Sequence, residues 1–105
     1  MRFFLFALGL ATGSVLAADL PGDPAAGLVF ARDVCATCHN VEALDPEGTP
    51  VLEAPAFRDI ANGSAHNEMS LRVFFRTPHL TMPNLKLTEE ETANVIGYIL
   101  SLRKQ

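Results

Sequence analysis

The sequence predicts an all-α domain of three to four short helices joined by long loops. Three observations predict it. The strict alternation of half-buried strands is missing, apolar residues recur at helical spacing in several short stretches, and prolines and glycines gather between those stretches. The 105 residues hold no internal repeat, no low-complexity tract and no second domain, so one small domain is expected.

The opening MRFFLFALGLATGSVLA is set aside from that domain. It carries one arginine at position 2, an apolar run over residues 3–10 and then small residues, the pattern of a secretory signal peptide. Val15-Leu16-Ala17 fits the small-x-small rule for cleavage, as does a cut one residue later. The run is shorter than the ~20 residues of a spanning helix, and Gly13-Ser14 interrupts it. The division expected is therefore a signal peptide over 1–17 and a single exported, periplasmic domain over 18–105, with no membrane anchor in the mature chain.

Taking 1–17 from a chain of net charge −4 leaves 88 residues at −5. That balance excludes a general nucleic-acid binder, which shows a basic stripe. A domain of this size buries too little surface to fold comfortably alone, and exported domains compensate with several disulfides or a cofactor. Two cysteines allow one disulfide at most. A large apolar cofactor within the core would answer the need.

The first mature helix starts at Asp23-Pro24, an N-cap followed by a proline suited to the first helical position. It runs to Val34, into the cysteine cluster. Residues 41–50, VEALDPEGTP, read as loop. A short helix over 55–61 stops at Asn62-Gly63. A third covers 68–76, with Leu71, Phe74 and Phe75 inward, and must end before Pro78. Residues 77–87, TPHLTMPNLKL, form an extended loop. The last helix has the clearest start: Thr88 and Glu91 make a capping box, and Glu89 and Glu90 suit the positive end of the helix dipole. Val95, Ile96, Ile99, Leu100 and Leu102 follow at helical spacing, and Arg103 and Lys104 are expected in its last turn.

The chemistry lies in CATCH, residues 35–39. On a helix, positions three and four apart share a face, so Cys35, Cys38 and His39 point the same way. Two thiols so placed can add across the two vinyl groups of haem, and the adjacent imidazole can bind its iron; C-x-x-C-H is the attachment signature of c-type haem. The competing readings are a redox dithiol, a zinc site completed by His66 or His79, and a plain disulfide. The dithiol lacks its βαβ setting, the zinc site a convincing ligand set, and the disulfide would close too small a loop to help. For the second axial position the chain offers Met69, Met82, His66 and His79. Met82 is the choice, because Pro83 stiffens the loop that would hold its thioether against iron. Met69 reads as core filler, His79 as a loop residue near the haem edge and His66 as a surface residue.

With CATCH at 35–39 and TMPNLKLTEEE at 81–91, the mature chain resembles a class I c-type cytochrome, one of the small monohaem bacterial ones. The resemblance implies a cytochrome c fold wrapped around one covalently attached haem c, with the N- and C-terminal helices crossing. It implies Gly27 at the crossing, eight residues before the first cysteine, with Phe30 and Tyr98 as aromatic partners. It also implies a proline carbonyl orienting His39, for which Pro55 is the candidate and Pro50 the alternative.

With both axial positions filled, the activity expected is one-electron transfer between redox partner proteins by a monomer, and no catalysis. The alternatives are a haem enzyme or gas sensor with an open sixth position, or a subunit of a larger periplasmic oxidoreductase complex. From Met69 to Thr88 there is no acid, while Arg72, Arg76 and Lys86 give three positive charges. These three predict a cationic rim around the Met82 loop, steering an acidic partner.

Overall fold

A computed structural model of the protein describes residues 9, 20–44, 48–79 and 81–104. The expected signal peptide lies outside the described residues, Gly9 apart. In chain order the elements are α1 (Pro24–Phe30), a π-helical turn (Ala31–Cys35), α2 (Phe57–Asn62), α3 (Glu68–Arg76) and α4 (Glu89–Ser101). No strand occurs among the described residues, and none of their helices is long and apolar enough to cross a membrane.

α1 begins as its sequence requires. The Asp23 carboxylate accepts from the backbone N–H groups of Ala25 at 3.0 Å and Ala26 at 3.4 Å, and Pro24 occupies the first turn, where its missing N–H costs nothing. The helix then widens instead of ending. Ala36 N–H donates to Ala31 O at 2.9 Å, five residues back, and the π turn delivers the chain to Cys35. The sequence predicts one continuous helix here, and the structure has a π turn instead. The extra residue in the turn changes the faces that the following side chains occupy.

α1 packs on α4 in the most extensive helix–helix contact of the fold. The approach is close enough to need glycine on both sides. A Cβ at Gly27 would lie 1.9 Å from Asn94 O and 2.9 Å from Tyr98 Cβ, and one at Gly97 would lie 2.0 Å from Pro21 O. Asn94 Oδ1 also accepts from Asp23 N–H at 2.8 Å, tying the start of α1 to the middle of α4. Val95, Ile96 and Ile99 of α4 are fully buried, each worth roughly 1.5–3 kcal/mol of hydrophobic burial.

α4 starts at the expected capping box: Glu91 N–H donates to Thr88 Oγ1 at 3.1 Å, and Thr88 N–H to Glu91 Oε1 at 2.9 Å. Its other end differs from expectation. The helix stops at Ser101 and Leu102 caps it, so Arg103 and Lys104 lie beyond the last turn. Arg103 reaches across instead: its Nε donates to Ala61 O at 2.9 Å, satisfying a carbonyl that the end of α2 leaves open. α3 is capped by Asn67 and Ser70 in a reciprocal capping box. Leu71 is buried and Phe75 half-buried, but Phe74, expected inward, is 43% exposed and stacks on His79 at 3.6 Å between ring centroids.

Candidate functional site: the CATCH turn and its brace

After the π turn the backbone makes one further helical turn. Cys35 O accepts from Cys38 N–H at 3.2 Å and from His39 N–H at 2.9 Å. That turn sets Cys35, Cys38 and His39 together. Both thiols are free; Cys35 is buried and Cys38 half-buried. Burial pushes the Cys35 thiol up to about 11.

The His39 imidazole is held from two directions. Its Nδ1 lies 2.6 Å from Pro55 O. A carbonyl only accepts, so Nδ1 carries a proton, and in the neutral ring that leaves the lone pair on Nε2, to which nothing bonds among the described residues. It is Pro55, not Pro50, whose carbonyl meets the ring. From the other side Phe57, 3% exposed, sets its ring 5.4 Å from that of His39, tilted by 58°. Tyr98 of α4 backs Phe57 at 6.3 Å.

The three residues after His39 are pinned one by one. Phe57 N–H donates to Asn40 O at 2.9 Å. The Tyr98 hydroxyl donates to Val41 O. Glu42 takes a two-pronged ion pair from Arg32 of the π turn, at 2.6 and 2.9 Å. The Arg32 guanidinium holds the Glu42 carboxyl below the usual range, and Glu42 in turn raises Arg32. Burial, then the Glu42 charge, raises the Tyr98 phenol against an opposing effect of Arg32.

Met82 is half-buried and lines a cavity of about 310 Å³ with Phe75, His79, Pro83 and Leu85. Neither cysteine nor His39 lines that cavity. Met69, on α3, is 75% exposed, not core filler. His66 is half-buried, with Nδ1 at 2.7 Å from Ile60 O, where a surface position was expected. His79 sets Nε2 at 2.6 Å from Phe74 O. Among the described residues no group of three His, Cys, Asp or Glu side chains can hold a metal ion by itself.

The predicted basic rim is different in the fold. Arg72 pairs with Glu68 at 3.3 Å and reaches Glu89 at 3.7 Å, and Arg76 pairs with Glu89 at 2.9 Å. Both acids lie just outside the 69–88 segment, so its own composition hid them. The three cations and two acids leave one net positive charge.

The donor set fits haem. Two unlinked thiols one helical turn apart can form thioethers, and an imidazole anchored through Nδ1 can offer Nε2 to iron. Phe57 and the Asn40–Glu42 brace were missed in the sequence, because an apolar residue two after a proline has no pattern of its own.

The cytochrome c family model matches residues 25–103. A protein named cytochrome c-552, from Bradyrhizobium diazoefficiens, is 30% identical over 96 residues, which cover 91% of this chain and 90% of the relative. No solved structure matches the chain. Helical fold, donor set and both likenesses agree: the chain belongs to the cytochrome c family, as a class I c-type cytochrome that carries covalently bound haem c with its iron and transfers electrons between redox partner proteins, without being an enzyme.

Proposed function

We propose that this cytochrome is a periplasmic one-electron shuttle with a single haem whose iron is bound by His39 and Met82. Cys35 and Cys38 are the thioether donors, the Pro55 carbonyl orients His39, and residues 1–17 direct export. The observation that carries this reading is the 2.6 Å contact between His39 Nδ1 and Pro55 O. It fixes the tautomer that leaves Nε2 as donor and raises the basicity of that nitrogen. Met82 supports the sixth position because it is a half-buried thioether beside Pro83 in a cavity wall. Haem supplies the electron chemistry; the chain supplies ligand placement, burial and the face where partners meet it.

The docking face we assign is the rim of the Met82 loop. Arg72 and Arg76 stand there with acids, while Lys86 has no ion-pair partner among the described residues. Steering of an acidic partner then rests on Lys86 more than on the arginines.

The test is an optical spectrum of the mature holoprotein, oxidised and reduced, with and without carbon monoxide. A c-type spectrum indifferent to carbon monoxide, which becomes responsive in Met82→Ala, is expected. A wild-type spectrum that shifts with carbon monoxide would remove Met82 as ligand and favour a sensor or enzyme.

A further inference from the structure

Resting on His39 as the iron ligand, we infer that Phe57 is the positioning residue that fixes the roll of the His39 imidazole plane. The Pro55 bond fixes where Nδ1 points. One hydrogen bond resists little a roll of the ring about the line from Cβ to the accepting oxygen. The Phe57 ring closes that freedom. It lies 5.4 Å from the imidazole centroid at 58°, within the range of tilted aromatic pairs. It is packed in place, 3% exposed and backed by Tyr98 at 6.3 Å. Its own N–H is bonded to Asn40 O, the residue next to His39, so ring and backbone act on the same short stretch. Filling this corner of the core needs only apolar volume, which a leucine would supply. A planar ring is needed only if orientation matters. The imidazole plane selects which iron π orbital it overlaps, so its roll sets how unpaired spin spreads over the haem.

The experiment is paramagnetic proton NMR of the oxidised holoprotein, comparing wild type, Phe57→Leu and, as a control for packing loss, Ile60→Ala. Phe57→Leu is expected to reorder the haem methyl shifts and change the spread between them. Ile60→Ala, a half-buried α2 residue, is expected to lower the melting temperature and leave the methyl order unchanged. If Phe57→Leu keeps the wild-type pattern, or if Ile60→Ala changes it equally, the inference is overturned. Should Phe57→Leu not fold, the reduced wild type decides: cross-relaxation between the Phe57 and His39 rings supports the inference, and its absence overturns it. The underlying reading fails separately, if the His39 ring protons of oxidised wild type carry no paramagnetic shift.

Discussion

The two sides of the proposed haem site are built differently. On the His39 side, residues 39–42 are each tied to another element: His39 to Pro55, Asn40 to Phe57, Val41 to Tyr98 and Glu42 to Arg32. On the Met82 side, residues 81–87 make no hydrogen bond among the described residues. What limits that loop is the fixed φ of Pro83 and the half-burial of Met82, Leu85 and Leu87. Directed bonds define one side, and restricted backbone and packing the other. Under the proposed His39/Met82 ligation, the difference makes the imidazole the fixed reference of the site and the thioether its adjustable member. A ligand held without hydrogen bonds can leave at low cost and leave the fold standing.

The largest effect should follow from removing the proposed thioether ligand. Met82→Ala should lower the reduction potential by on the order of a few tenths of a volt, inside the roughly 0.8 V range that axial ligands command. The helical circular dichroism should be unchanged. Potentiometry and far-ultraviolet spectra check both. A loss of helix would mean that the Met82 side carries the fold, and the comparison would be broken.

The next effect concerns the frame behind the fixed side. A Cβ at Gly27 would meet Asn94 O at 1.9 Å, and the atom it meets is backbone. Gly27→Ala should cost about 1–3 kcal/mol or more, which for a domain of this size is a fall in melting temperature of roughly 4–8 °C per kcal/mol. Calorimetry of the holoprotein measures it.

Tyr98→Phe sharpens the comparison further. It leaves the buried Val41 carbonyl without its donor, at about 1–3 kcal/mol. Its pH dependence has a definite sign. The folded phenol is raised above its ordinary 10.0. As pH climbs past that value the unfolded chain loses its proton while the folded one keeps it. Stability from this group is complete below pH 10 and is lost as pH rises through the folded value. Denaturant midpoints between pH 9 and 11 should therefore fall more steeply in wild type than in Tyr98→Phe.

The smallest effect is electrostatic. Lys86→Glu should slow electron exchange with an acidic partner more than Arg76→Glu, because Arg76 already faces Glu89 at 2.9 Å. Surface ion pairs of this kind are worth about 0–1 kcal/mol, so the change in rate should be modest and should vanish at high salt. Stopped-flow rates across a salt series give the answer.

Much of this contrast was legible in the residues. Asp23-Pro24 and the Thr88–Glu91 box marked where α1 and α4 begin, since both signals act locally and need no tertiary partner. CATCH named its chemistry, and the resemblance to class I cytochromes made Pro55 the candidate for orienting His39, with Pro50 as the alternative. What escaped notice had no compositional mark or lay outside the segment that its own composition described. The π turn at 31–35 has no compositional mark. Glu68 and Glu89 sit outside the segment whose charge they cancel. Arg103 reads as a dipole partner by position, yet it bonds a carbonyl 42 residues away.

One measurement tests the contrast directly: denaturant titration of the oxidised holoprotein, following the sulfur–iron charge-transfer band alongside the helical circular dichroism. The sulfur–iron band should disappear first, at a denaturant concentration where helix content is intact, with the imidazole still on the iron. A single shared midpoint for both signals would contradict it, and so would loss of the imidazole before the thioether.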